Sequence, residues 1–137
     1  MDFSDTNILV VDDEIPYRKF LSKLIEKKLK LNVIEAANPI EAFELMEKYS
    51  ISLIMMDMEM PVMDGLTAIK KIRTMPKYYM TPIIACSALR SIDLIVNLGK
   101  LRINDYIAKP SDAVTILTKI LKALKQDSIS SFPIGHE

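Results

Sequence analysis

The chain has 137 residues, half of them hydrophobic, and its 18 basic residues balance 18 acidic ones. This length suits one domain with a single core, and the zero net charge gives no reason to expect a nucleic-acid or membrane surface. One cysteine and one histidine exclude an internal disulfide and a Cys/His zinc site. The three glycines are not spaced for a dinucleotide-binding or Walker-type loop. No stretch has the apolar length of a signal peptide or membrane span, so we expect a cytoplasmic protein.

The first half of the chain alternates short apolar runs with segments of helical spacing. The runs at residues 8–11 and 33–34 are too short for helices and rich in β-branched residues, which predicts strands. The start of a helix is predicted after the second run by three residues: Asn38 as N-cap, Pro39 at the first helical position, and Glu41 three positions after Asn38. The two helices are predicted by apolar residues that share one face: Phe20, Leu21, Leu24 and Ile25 in the first, and Ala42, Leu45, Met46 and Tyr49 in the second.

The second half repeats this alternation. Three more apolar runs predict strands at residues 51–56, 83–86 and 106–108. A fourth helix is predicted over about residues 91–98, ended by Gly99, and Ser111 is predicted to cap the fifth. The third and fifth helices are predicted by the apolar faces Leu66, Ile69 and Ile72, and Val114, Leu117, Leu121 and Leu124.

Five strands alternating with five helices predict an α/β fold with a parallel sheet covered on both faces. The strand segments ILVV and LIMM are apolar at successive positions, as expected for strands that are buried on both sides. The sequence therefore predicts a single doubly wound sheet.

Polar residues end four of the predicted strands, and ligands of an open parallel sheet bind at the carboxyl ends of its strands. These residues are Asp12 and Asp13, Asp57, Ser87 and Lys109. Three carboxylates on one edge repel one another unless a cation is present, and an oxygen-only ligand set suits a hard divalent ion, Mg²⁺ first and Mn²⁺ second. A hydrated metal ion beside a carboxylate and a lysine suits phosphoryl binding, because the positive charges of the metal and the lysine offset the negative charge of the phosphoryl group.

Together with their neighbours, these residues resemble the receiver domain of two-component response regulators, over about residues 5–126. The motifs are Asp12-Asp13, the run Asp57-Met58-Glu59-Met60-Pro61 followed by Asp64-Gly65, Ser87-Ala88, Tyr106 and Lys109-Pro110. The resemblance implies a flavodoxin-like sheet with strand order 2-1-3-4-5. The domain would comprise residues 1–126, with residues 127–137 as a polar tail or the start of a linker.

The resemblance also implies a chemical role for the acidic residues. Asp57 would accept a phosphoryl group from a sensor histidine kinase or a histidine phosphotransfer protein. Asp13, Asp57 and the backbone carbonyl of Glu59 would hold Mg²⁺, with Asp12 assisting, directly or through water. Lys109 would pair with the phosphoryl oxygens.

By the same resemblance, Ser87 and Tyr106 would form the switch that follows phosphorylation. An output partner would bind the face built from the fourth helix, the fifth strand and the fifth helix. The protein would be a signalling switch that catalyses only its own phosphorylation and dephosphorylation. Each switch residue also has a structural interpretation, Ser87 as a turn hydroxyl and Tyr106 as a core aromatic with its hydroxyl satisfied.

Three other functions fit the same architecture less well. A degenerate receiver, acting as a phosphorylation-independent interaction module, typically lacks an acidic or lysine position that this chain keeps. An aspartate-nucleophile phosphatase needs a second aspartate where Glu59 stands. A flavodoxin-like electron carrier needs a glycine- and hydroxyl-rich loop where this chain has Asp-Asp-Glu-Ile-Pro.

The chain departs from the receiver pattern near its fourth helix. Arg102 stands where many receivers have the glycine that closes this helix. We expect Gly99 to take over that role.

Overall fold

The structure, a computed structural model, describes residues 5–89 and 91–125. The predicted tail, residues 127–137, lies outside the described residues. The strands are β1 (Asn7–Val11), β2 (Asn32–Ala36), β3 (Leu53–Asp57), β4 (Ile83–Ser87) and β5 (Asp105–Ala108). The helices are α1 (Ile15–Leu29), α2 (Pro39–Lys48), α3 (Gly65–Ile72), α4 (Ile92–Gly99) and α5 (Ala113–Lys125), with a short 3₁₀ helix at Pro76–Tyr78 that the sequence did not predict. Within the described residues, none of these helices combines the length and apolarity needed to cross a membrane.

The strands form one parallel sheet in the order β2-β1-β3-β4-β5, which confirms the predicted fold. The sheet separates two hydrophobic clusters, and successive residues of each inner strand point into opposite ones: Leu9 of β1 packs towards α2 and α3, and Ile8 towards α1 and α5. All five residues of β3 are buried. Helices therefore cover both faces, as the continuous apolar runs predicted.

The starts of α2 and α5 test the predicted helix caps. The Asn38 side chain accepts a hydrogen bond from the Glu41 backbone N–H at 2.9 Å, which confirms the predicted cap of α2. The prediction of Ser111 for α5 is wrong, because the Asp112 carboxylate accepts from the Thr115 N–H at 2.7 Å. Asp112 stands three residues before the N–H that it caps, and Ser111 lies one residue too early for that contact.

The buried face of α5 also differs from the predicted one. The helix buries Ile116, Ile120 and Ala123, whereas Val114 is 74% exposed. The apolar residues of α5 span more than one face, and the sheet covers the set at positions i, i+4 and i+7. Phe20 in α1 and Tyr49 after α2 are likewise exposed rather than part of the core.

Helix α4 begins after Ser91, whose side chain accepts from the Leu94 N–H at 3.2 Å, and ends at Gly99 as predicted. The expectation that Gly99 replaces the missing glycine is wrong, since Arg102 itself adopts the left-handed conformation with φ 58°. That conformation costs a non-glycine residue roughly 1–2 kcal/mol. The Arg102 guanidinium lies 4.2 Å from the centre of the Tyr79 ring, a cation–π contact that offsets part of this cost.

A buried arginine, Arg73, ties the end of α3 to two loops. Its guanidinium donates hydrogen bonds to five backbone carbonyls at 2.8–3.2 Å, those of Tyr78, Tyr79, Thr81, Leu101 and Arg102. Burial, together with the charge of Arg102, lowers the pKa of Arg73 to about 10, so the guanidinium remains charged at neutral pH. The acceptors are neutral, so the positive charge is held by carbonyl dipoles rather than by a carboxylate.

Gly65, the first residue of α3, lies against the end of β3. A Cβ atom there would lie 2.7 Å from the Met58 Cα and closer still to the Asp57 carbonyl oxygen. Because both obstacles are backbone, we expect Gly65→Ala to lower the free energy of unfolding by roughly 1–3 kcal/mol, measured by urea denaturation. Thr67→Ala, at an exposed position of the same helix, is the control. An equal change in both variants would contradict the steric explanation.

Candidate functional site

The carboxyl ends of β1, β3 and β5 bring three predicted site residues into contact. Val11 pairs with Met56 across β1 and β3, so the residues that follow, Asp12 and Asp57, are level with each other. The Lys109 ammonium lies 2.9 Å from Asp12 Oδ2 and 3.2 Å from Asp57 Oδ1. Both carboxylates are almost fully buried, with Asp12 1% and Asp57 2% exposed. The lysine therefore bridges two buried carboxylates at the edge of the sheet.

The pKa values of this cluster reflect its burial and its excess of negative charge. Burial and the neighbouring charge of Asp12 raise the pKa of Asp57 to about 7, although Lys109 opposes the shift. Burial alone would lower the pKa of Lys109, but its hydrogen bond to Asp12 and the charge of Asp57 outweigh burial and raise it. The ammonium is thus permanent at neutral pH, while Asp57 is held near its titration point.

Asp13 completes a set of three carboxylates. Asp12, Asp13 and Asp57 each offer an oxygen atom, and these atoms all lie within 4.8 Å of one another. When all three carboxylates are ionised, they and the Lys109 ammonium leave two uncompensated negative charges, which one divalent cation would balance. Carboxylate oxygens are the ligands that Mg²⁺ and Mn²⁺ prefer. The donor set therefore fits the ion that the sequence predicted.

Ser87 ends β4 beside this cluster, and its side chain is engaged by Glu59. The Ser87 hydroxyl, fully buried, donates to one oxygen of the Glu59 carboxylate. The other carboxylate oxygen accepts from the Ala88 backbone N–H at 3.0 Å. The Glu59 backbone N–H in turn donates to Asp57 Oδ1 at 3.2 Å. Sequence reasoning assigned the backbone carbonyl of Glu59 to the metal and did not predict these side-chain contacts.

Tyr106 lies in β5, half-buried, and its hydroxyl donates to the Leu89 carbonyl. The Leu89 backbone N–H donates to Ser87 Oγ at 2.9 Å. The two predicted switch residues are therefore linked through Leu89, in the segment between β4 and α4. The structural interpretation of Tyr106 also fits, since its ring packs against the core and its hydroxyl is satisfied.

Helix α1 contributes two residues that sequence reasoning missed. The Tyr17 ring centre lies 4.5 Å from the Lys109 ammonium, and Arg18 donates to the Asp12 carbonyl at 2.8 Å and to Glu35 at 2.9 Å. Burial raises the pKa of Tyr17 to about 12, so its hydroxyl stays neutral. The available signal was position, because the first turn of a helix that directly follows Asp12 and Asp13 must lie beside them.

A cavity of about 320 Å³ opens beside these residues, large enough for a small polyatomic anion. Its lining comprises Asp13, Glu14, Asp57, Glu59, Ala88, Leu89 and Lys109. A larger groove of about 410 Å³ lies between α2 and the 3₁₀ helix, where Lys71 and Lys77 lie among mainly apolar side chains. The smaller cavity therefore combines the convergent charges with the space for a ligand.

Comparison with known proteins identifies the family of the chain. A family model described as the response regulator receiver domain matches residues 8–121. The chain is 34% identical over 117 residues to the chemotaxis protein CheY of Bacillus subtilis (strain 168), a match that covers 85% of this chain and 96% of that protein.

Longer proteins and solved structures are similar as well. Identity is 37% over 119 residues to protein-glutamate methylesterase/protein-glutamine glutaminase 2 of Carboxydothermus hydrogenoformans, covering 85% of this chain but 33% of that protein. The structure of Vibrio cholerae chemotaxis protein CheY4 superposes with a TM-score of 0.84 and 26% identity, covering 88% of this chain and 100% of that chain. With its sheet order and the residues at its strand ends, the chain belongs to the response regulator receiver domain family.

Proposed function

We propose that this receiver domain accepts a phosphoryl group on Asp57, with Mg²⁺ bound beside it, and thereby changes its affinity for an output partner. The observation that supports this most directly is the Lys109 ammonium between Asp12 and Asp57, beside a cavity large enough for the group. A degenerate receiver acting only as an interaction module is the alternative, and the complete set of acidic and lysine residues counts against it.

In the proposed reaction, the Asp57 carboxylate is the nucleophile. One of its oxygens attacks the phosphorus of a phosphohistidine, the P–N bond breaks, and an acyl phosphate forms. The donor would be a sensor histidine kinase or a histidine phosphotransfer protein. The Glu59 N–H, already donating to Asp57 Oδ1, orients the carboxylate, and Lys109 pairs with the phosphoryl oxygens. Mg²⁺, held by Asp13, Asp57 and the Glu59 carbonyl with Asp12 assisting, would supply further positive charge to offset those oxygens.

The proposed output surface is the face formed by α4, β5 and α5. Among the residues of α4 only Leu98 is buried, while Ile92 is 77% and Val96 39% exposed. Exposed apolar side chains on one helix provide the area that a protein partner could cover. A cytoplasmic location is part of the same proposal, and the buried free thiol of Cys86 suits a reducing compartment.

The metal part of the proposal is tested with Asp13→Asn. We expect this change to weaken Mg²⁺ binding at least tenfold, because it removes one ligand of a small charge-matched set. Asp12→Asn should have a smaller effect. Binding is measured by amide chemical shifts during a Mg²⁺ titration. Glu14→Gln removes an acidic group that is 66% exposed and lies outside the set, and it should bind like the wild type.

Labelling provides the second measurement. The wild type, incubated with Mg²⁺ and a small acyl-phosphate donor, should gain the mass of one phosphoryl group, and excess chelator should prevent this. Labelling in excess chelator, or unchanged Mg²⁺ affinity of Asp13→Asn, would contradict the metal-dependent mechanism.

A further inference from the structure

The Glu59 carboxylate occupies two hydrogen-bond donors at the end of β4. One of its oxygens accepts from the buried Ser87 hydroxyl and the other from the Ala88 backbone N–H at 3.0 Å. Both contacts cross from the loop after β3 to the end of β4, so they connect the segment that carries Asp57 to the segment that leads into α4. Glu59 and Ala88 also line the cavity beside Asp57 and Lys109.

A phosphoryl group on Asp57 would need the same donors. It brings close to two negative charges and three strong acceptor oxygens. Lys109 and Ala88 line the cavity and offer it an ammonium and a backbone N–H, and the Ser87 hydroxyl directly precedes Ala88. Glu59 already accepts from Ser87 and from Ala88. A carboxylate and a phosphoryl group cannot share these donors without placing like charges in contact.

We propose that the Glu59 carboxylate is an internal substitute for the phosphoryl group, holding Ser87 and Ala88 in the unmodified domain and leaving them when Asp57 is phosphorylated. This inference rests on the proposed function. It adds that Glu59 competes with the phosphoryl group for the donors of Ser87 and Ala88. Glu59 is half-buried, so its side chain has a route to solvent. The contact therefore lowers the affinity of the site for phosphoryl-like anions and keeps Ser87 in its unmodified position.

The charge of Glu59 determines how strongly it competes. Hydrogen bonds to an ionised acceptor are roughly twice as strong as those to a neutral one. Glu59→Gln keeps the shape and an acceptor oxygen but loses the charge, so it should compete weakly. Glu59→Ala removes the acceptor altogether and should free both donors. The two variants thus form a graded series, and neither alters the backbone carbonyl that is the proposed metal ligand.

The test uses beryllofluoride, which mimics a phosphoryl group, in the presence of saturating Mg²⁺. Binding is followed through the backbone amide shifts of Ser87 and Ala88. We expect Glu59→Ala to bind the anion about tenfold more tightly than the wild type, with Glu59→Gln in between. The Ala88 amide shift should also move in Glu59→Ala before any anion is added, because the carboxylate that it contacts is gone.

Glu14→Gln is the matched control, since Glu14 lines the same cavity and its carboxylate is held near Lys109 rather than on β4. An affinity gain in Glu14→Gln as large as that in Glu59→Ala would overturn the inference and indicate a general charge effect. Equal or weaker anion binding by both Glu59 variants, beside normal binding by the wild type, would overturn it while leaving the proposed function intact. Failure of the wild type to bind beryllofluoride and to be labelled by an acyl phosphate would instead reject the proposed function.

Discussion

Asp57→Asn is expected to abolish transfer of a phosphoryl group to the domain. Asparagine has nearly the same shape, but its neutral amide is a poor nucleophile and cannot form the acyl phosphate. The measurement is intact mass after incubation with Mg²⁺ and a small acyl-phosphate donor. Asp64→Asn is the control, because Asp64 caps α3 outside the cavity and asparagine caps a helix equally well. Labelling of Asp57→Asn to the wild-type extent would show that another residue accepts the group.

The same variant tests the charge balance of the site without metal. The pKa of Asp57 rises from 3.8 to about 7 on folding, so the folded chain binds more protons than the unfolded chain between these values. The wild-type free energy of unfolding should therefore fall as the pH rises from about 4 to about 7 in a chelating buffer. Asp57→Asn should lack this component and be the more stable protein at about pH 8. A less stable variant at that pH would mean that the ionised carboxylate stabilises the fold.

Arg73→Met is expected to have the largest effect on stability. It removes five hydrogen bonds from one charged group and leaves the carbonyls of two loops, around residues 78–81 and 101–102, without their donor. Loss of such a buried charged contact costs about 3–5 kcal/mol, measured by urea denaturation. Arg73 contacts Thr81 and Arg102, which precede the amino ends of β4 and β5, whereas Asp57 stands at the carboxyl end of β3. The change should therefore act on folding rather than on the chemistry.

Two control variants separate the geometry of Arg73 from its charge. Arg73→Lys keeps the charge, but an ammonium cannot donate to both loops as the planar guanidinium does, so its stability should be intermediate. Lys70→Met, on the exposed side of α3, should change the free energy of unfolding by about 0.5 kcal/mol or less. A loss below about 1 kcal/mol for Arg73→Met would contradict the proposed role of these hydrogen bonds.

The elements that the sequence predicted well depend on local patterns. Apolar runs mark all five strands, and Asn38 with Glu41 fixes the start of α2. The strand order and the roles of the acidic residues came from the family resemblance. The structure brings Asp12, Asp57 and Lys109 together because parallel strands carry their carboxyl ends to one edge. The roles assigned to these residues stay predictions until they are tested.

The features that the sequence did not predict depend on contacts between distant segments. The hydrogen bonds from Arg73 to Leu101 and Arg102 span 28 and 29 residues, and those from Glu59 reach β4 over a similar separation. The energetic cost of the left-handed conformation at Arg102 is partly offset by contact with the Tyr79 ring, which lies 23 positions earlier in the chain. Ser111 and Asp112 are both common N-cap residues, so residue type alone does not show which of them caps α5.

The attachments of α4 differ at its two ends, and this difference has a mechanical consequence. After the helix, Leu101 and Arg102 are held by the Arg73 guanidinium, and Leu98 is the buried anchor. Before it, the hydrogen bonds that Leu89 makes with other described residues go to Ser87 and Tyr106. Leu94 and Ile95 pack against the core beside Leu98, so we expect α4 to pivot about this packed side when Ser87 moves. A small shift of Ser87 would then produce its largest displacement at Ile92, the exposed apolar residue at the opposite end of the helix.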